Sequence, residues 1–243
     1  MSARFLLLWL EAPLQSWGAD SRFGRRDTLN FPTKSGVTGL LLCALGASGA
    51  QKELLSKLAP LKQTVVSYAR TQKSKDGASQ KVDRESLLRD FHMVGSGYDD
   101  ANPWENLLIP KTSEGKKAVG GGTKLTYRYY LQDAKFAVVL EVPAELVTTF
   151  VGALQSPVYD LYLGRKNCVP TDFIYRGCFE NEGEALQKAN EIGREKDLMV
   201  EDFRVVDGDH SDSGEGMTLN DVPVQFGEIK RYRDRRVTVI RNG

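Results

Sequence analysis

Hydrophobic and polar positions divide the chain into short, distinct elements. Residues 4–10 (RFLLLWL) are an unbroken apolar run of strand length that stops at Glu11 and Pro13. A run without alternation predicts a strand covered on both faces, in the middle of a sheet. Residues 33–45 carry Val37, Leu40, Leu41, Ala44 and Leu45 at helical spacing, with Pro32 before them, Thr33 or Ser35 as cap and Gly46 as stop. Gly36 and Gly39 cost this helix about 1 kcal/mol each against Ala, so something packs closely against its start. Residues 53–58 predict a short helix ending before Pro60, and 64–71 (TVVSYART) a strand.

Between 72 and 124 long apolar runs give way to Lys, Ser, Gly and Asp, and Gly120, Gly121 and Gly122 close the stretch. This predicts an insertion projecting from the core. Residues 125–141 return to strand, as a pair or as one bent strand. A second helix over 143–154 has Pro143 at its start and Leu146, Phe150 and Leu154 spaced by four. A third helix is predicted over 185–192, a strand over 198–206 and a last short strand over 237–240. The order strand, helix, strand, insertion, strand, helix fits the split βαβ, ferredoxin-like plan that the RRM also uses. The fold class is therefore α+β.

Composition narrows the function. The 243 residues hold 33 Lys+Arg against 32 Asp+Glu, so any anion-binding surface must come from local segregation of charge. Two histidines, His92 and His210, exclude a His-rich metal site. Three cysteines at wide spacing and without C-x-x-C make neither a disulfide framework nor a zinc site, which fits a reducing compartment. The first apolar run is too short for a signal h-region or a membrane span, so a cytoplasmic protein is expected. No metal and no cofactor are expected.

Three constellations carry candidate chemistry. At 31–36 (FPTKSG), Lys34, the Ser35 hydroxyl and Gly36 at a helix start can receive a phosphate, although no Walker A loop is present. A plain capped helix with a surface lysine is the competing reading. In the long connection 11–31, Trp17, Phe23, Arg25 and Arg26 interleave aromatic rings with cations, as stacking on splayed bases requires. Equally, Trp17 and Phe23 can pin the loop to the core. At 162–168 (YLGRKNC), Gly164 permits a tight turn, and Arg165, Lys166 and Asn167 offer two cations and an amide. Residues 230–236 are basic while 197–221 are acidic, and the default is mutual neutralisation across a hairpin. The stretch 207–212 fails as a calcium loop because Asp212 stands where glycine is required. His92, with a nearby Lys or Tyr, is the candidate general base for RNA cleavage.

The stretches LEAPLQSWG (10–18), FPTKSGVTGLL (31–41) and YLGRKNC (162–168), with DFH (90–92) and VPVQF (222–226), resemble in order the CasD family of CRISPR-associated Cascade subunits, the fifth Cas family in its type I-E form. The resemblance implies a RAMP-type, RRM-like core over 1–72 and 123–206, a thumb over 73–122 and a short β-rich C-terminal extension over 207–243. It implies a non-catalytic RNA-binding subunit of the surveillance complex. That subunit holds the 5′ handle of the CRISPR RNA and caps one end of the backbone in antiviral defence. Its partners would be the CRISPR RNA, the backbone and large Cascade subunits and, through the complex, target DNA, with no membrane. Trp17, Phe23, Arg25, Arg26, Lys34, Ser35, Gly36, Arg165, Lys166 and Asn167 are the expected RNA-binding residues. A sister family cleaves precursor CRISPR RNA with a Tyr, Lys and His set, so a metal-independent endoribonuclease using His92 is the alternative. A phosphate-binding enzyme unrelated to RNA is the third.

Overall fold

A computed structural model describes residues 3–18, 24–74, 79–94, 101–109, 111–118, 124–210 and 212–241. In chain order the elements are β1 (Ala3–Glu11), β2 (Leu14–Gln15), β3 (Trp17–Gly18), β4 (Arg25–Arg26), β5 (Thr28–Leu29), α1 (Lys34–Leu45), α2 (Lys52–Leu58), β6 (Gln63–Lys73), β7 (Ser79–Val82), β8 (Leu88–Val94), α3 (Pro103–Leu108), β9 (Lys124–Gln132), β10 (Lys135–Pro143), α4 (Ala144–Gln155), β11 (Tyr175–Phe179), α5 (Glu182–Glu195), β12 (Leu198–Asp207), β13 (Glu215–Gln225) and β14 (Arg231–Arg241).

The main sheet runs β11-β1-β10-β6-β12-β14-β13, with β7 added to the far end of β6. The apolar run of β1 lies between β10 and β11, both antiparallel to it, and Leu6 to Leu10 are fully buried. Side chains alternate between the two faces of a strand. Leu6, Leu8 and Leu10 therefore pack under α1 and α4, together with Val37, Leu41, Phe150 and Leu154. Leu7 and Trp9 face the other way, into a cluster with Tyr68, Ala185, Ala189 and Ile192. Both faces of the central strands are thus closed, the second by α5.

The expected helix at 33–45 forms one residue later, capped by the Thr33 hydroxyl, which accepts from the Gly36 N–H at 3.2 Å. Gly46 ends it in the left-handed region. The stretch 125–141 is two strands, β9 and β10, turning at Asp133, which has a positive φ of 47°. Two extents differ from expectation by more than two residues. The third helix reaches 182–195, because Asn181 caps its start by accepting from the Glu184 N–H and polar residues extend it past the apolar stripe. The last strand starts at Arg231, inside the basic tail, and pairs with β13, which carries too mixed a pattern to be seen as a strand. Residues 207–241 therefore continue the main sheet, and β13 lies against α1 and α2. Residues 72–124 contain β7, β8 and α3, and β8 pairs along the length of β9.

Candidate RNA-binding cleft

The loop 156–174 leaves α4 and folds over the outer side of α1. Gly164 fixes its approach. The residue has φ +102°, and a Cβ there would fall 1.6 Å from the Ser16 carbonyl oxygen. The Ser16 N–H donates to Leu163 O at 3.1 Å, and the Leu163 N–H donates to Cys168 O at 2.8 Å. Glycine at 164 is therefore demanded both by backbone conformation and by space.

The result is a cleft of about 530 Å3 beside α1. Its floor is the small-residue face of the helix, Gly36, Gly39, Leu40 and Cys43. Nothing would touch a Cβ at Gly39, so this face is open. Tyr159, Tyr162 and Phe226 form the walls, and Arg165, Lys166 and Lys230 the rim. Among the described residues no carboxylate lines it. An apolar floor with aromatic walls accepts a planar ring, and a rim of cations accepts phosphate.

Sequence-predicted residues divide here. Ser35, Gly36, Arg165 and Lys166 meet in this one cleft. Asn167 is exposed next to it. The Arg165 guanidinium is partly committed: it donates to Tyr129 O at 3.1 Å and Arg26 O at 2.9 Å and lies 4.6 Å over the Tyr130 ring. It ties β4 and β9 to the cleft and presents the remainder of its charge to the rim. Arg25 and Arg26 are exposed on β4, away from the cleft floor. Arg25 stacks 4.9 Å over Tyr129 and donates to Asp27, which raises its pKa. The ring beside it is thus Tyr129, not Trp17. Phe23 lies outside the described residues.

Two expectations are corrected. Lys34 is 3% exposed and turns inward, where its Nζ donates to Ala59 O at 3.0 Å and to Leu61 O. Burial pushes its pKa down, and Asp207, with its Oδ2 3.8 Å from the Lys34 Nζ, only partly restores it. The backbone N–H of Lys34 is taken by the Asp221 carboxylate at 2.8 Å. The helix start that would receive a phosphate already holds an internal anion. Trp17 is 1% exposed, and its indole N–H donates to Gln15 Oε1 at 3.0 Å. Its ring occupies the space beside Gly36, where a Cβ would come within 2.8 Å of it. Gly36 is required by this packing rather than by an approaching phosphate.

The acidic and basic tail segments do neutralise one another. Arg235 bonds the Asp221 carboxylate at 2.7 and 2.8 Å and also bonds Asp207, and Arg236 meets Asp209 at 3.2 Å. His92, on β8, has its Nε2 2.9 Å from Asp90 and stands opposite Thr126 rather than a lysine or tyrosine. Among the described residues no group of His, Cys, Asp and Glu is arranged to hold a metal ion, and no helix is long and apolar enough to cross a membrane. Lys230, Tyr159 and Phe226 were not foreseen at the cleft. The basic run 230–236 signalled charge, but its position beside α1 follows from the β13–β14 pairing.

The comparisons agree with the fold and with each other. The family profile described as CRISPR-associated protein (Cas_Cas5) matches residues 5–239. The chain is 32% identical over 178 residues to the CRISPR system Cascade subunit CasD of Escherichia coli (strain K12), covering 71% of this chain and 70% of that protein. Its fold is similar to a chain of a CRISPR RNA-guided surveillance complex, with a TM-score of 0.67 and 27% identity over 98% of this chain and 90% of the other. A crystal structure of a Cas protein matches with a TM-score of 0.56 and 26% identity, over 98% and 95%. A profile that runs from the first long strand to the last, together with a relative of this identity and coverage, shows that the chain belongs to the CRISPR-associated Cas5 protein family.

Proposed function

We propose that this chain is a non-catalytic RNA-binding structural subunit of a type I-E Cascade surveillance complex. It holds the 5′ handle of the CRISPR RNA and caps one end of the backbone. Its partners are then the CRISPR RNA, the backbone and large subunits and, through the complex, target DNA. Family membership and the CasD relative support the setting. The observation that carries the RNA reading is the cleft at α1, with its aromatic walls, cationic rim and no lining carboxylate among the described residues.

The strand order β11-β1-β10-β6, with α1 and α4 on one face, supports a ferredoxin-like, RRM-like (RAMP) core. We read residues 73–122 as its thumb and 207–243 as the C-terminal extension. An RRM stacks bases on its sheet face. Here α5 covers that face and buries Trp9 at 0% exposure, so the α1 side is the surface left for RNA. The non-catalytic reading is supported by His92, which is held by Asp90 and stands directly opposite Thr126 on β9.

Binding of the full chain to single-stranded repeat RNA tests this. The double variant Lys166→Glu/Lys230→Glu reverses two exposed rim charges and should weaken binding at least tenfold while its melting temperature stays within a few degrees, as surface changes do. Equal binding by the variant and the parent would overturn the cleft. Cleavage of repeat RNA in EDTA that disappears in His92→Ala would overturn the non-catalytic reading.

A further inference from the structure

We infer that Arg84 is a positioning residue, a latch that fixes the base of the 73–122 insertion, and with it the β4 ledge, against the core sheet. Arg84 lies in the connection 83–87 between β7 and β8. Its Nη1 donates to Asn30 O at 2.9 Å and its Nη2 to Ser67 Oγ at 2.7 Å. One guanidinium thus joins three segments. Asn30 ends the loop that carries Arg25 and Arg26, Ser67 lies in β6 and is fully buried, and Arg84 itself belongs to the insertion.

The same guanidinium lies 5.0 Å over the Phe136 ring of β10 and 5.7 Å over the Phe203 ring of β12. Among the described residues it makes no ion pair within 4 Å. Burial lowers its pKa, with Asp202 opposing. A desolvated cation held by two neutral acceptors and two ring faces is a role for Arg rather than Lys. The planar fork reaches both acceptors while its flat face lies on the rings.

The surroundings show that the latch spans a gap. Arg84 lines two cavities at the junction, of about 70 and 330 Å3. The insertion base therefore stands away from the core on both sides of this side chain. The other tethers among the described residues flank this connection on either side: the β6–β7 ladder and the Lys81–Asp202 ion pair before it, and Gln132 Nε2 donating to Ser86 O at 2.8 Å and the β8–β9 ladder after it. Weakening Arg84 should leave the core intact and loosen the insertion together with the β4 ledge. The consequence for RNA rests on the proposed function, because it is the insertion and ledge that would be misplaced relative to the cleft.

Hydrogen exchange on the full chain without RNA tests the latch independently of that reading. Arg84→Met fills the space between the two phenylalanine rings but has no donors. We expect amide exchange in 79–94 and 24–30 to accelerate about tenfold or more, with β1, β10 and the melting temperature little changed. Arg84→Lys keeps the charge without the fork and should exchange like the Met variant. Unchanged exchange at 79–94 in Arg84→Met would overturn the latch. So would acceleration spread through β1 and β10 with a large fall in melting temperature, since Arg84 would then be an ordinary core residue. Binding of repeat RNA by the same variants should weaken several-fold. If the parent chain binds no RNA while exchange behaves as expected, the proposed function fails and the latch stands.

Discussion

Lys34 illustrates how far a side chain can depart from its local signal. Next to a capped helix start in the sequence it reads as a phosphate-binding cation, yet it is folded under the chain with its ammonium on two carbonyls. Its lowered pKa has a definite consequence. Burial, the largest cause, favours loss of the proton in the folded state. In the unfolded chain a lysine titrates near about 10.4. Between the lowered folded value and that point the unfolded state binds more protons, so stability rises with pH there. The stability of the parent chain relative to Lys34→Met should therefore climb as pH increases toward about 10. Chemical denaturation of both proteins across this range checks it. A flat or falling difference would show that the ammonium is not penalised by burial. Trp17 is the companion case: an aromatic in a basic loop, spent on filling the space that Gly36 leaves.

At the scale of elements, the C-terminal hairpin acts as a clasp on α1. Asp221 on β13 accepts from the first N–H of the helix and from Arg235 on β14, and Arg235 also holds Asp207 at the end of β12. An anion at a helix N-terminus is favoured by the unsatisfied amides and the helix dipole. Here it is supplied by the protein and buried at 5% exposure. Removing one partner of such a buried network leaves an uncompensated charge. Asp221→Ala should therefore destabilise by about 3 kcal/mol. Asp234→Ala, on the exposed side of the same hairpin, should cost within about 0.5 kcal/mol. Equal losses in thermal or urea unfolding would show that the hairpin does not clasp the helix through Asp221. The β13 strand was not legible beforehand because its burial switches along its length: the first half is largely exposed, whereas Asp221, Val222 and Pro223 are buried. The long strands β1 and β10 were legible because continuous apolar runs follow from burial on both faces.

For the whole molecule, near-zero net charge means that the proposed RNA affinity would depend on a few gathered cations. The sequence offered Arg25, Arg26, Lys34, Arg165 and Lys166 as candidate RNA-binding cations. The fold removes Lys34, sets Arg25 and Arg26 on β4 away from the cleft floor, divides Arg165 between two carbonyls and the rim, and adds Lys230. About three phosphate contacts then remain, which for single-stranded RNA gives a log–log salt slope near −2. Titrations of repeat RNA at several salt concentrations check this, and Lys230→Ala should reduce the slope by about 0.7. A slope near zero would remove the electrostatic part of the cleft.

By itself the sequence determined the places of β1, β6, β9, β10, β12 and the main helices, the cap and stop of α1, and the resemblance to a family, but not β11 or β13. These depend on near neighbours: apolar spacing, a threonine cap, a glycine in the left-handed region. Only the tertiary structure decided which charges face water. Lys34 and Lys166 look alike in the chain. One is drawn inward by carbonyls at 59 and 61 and a carboxylate at 207, while the other is left exposed at a cleft that forms when Gly164 lets a distant loop close on Ser16. Those partners are set by packing between remote segments, and local pattern carries no information about them.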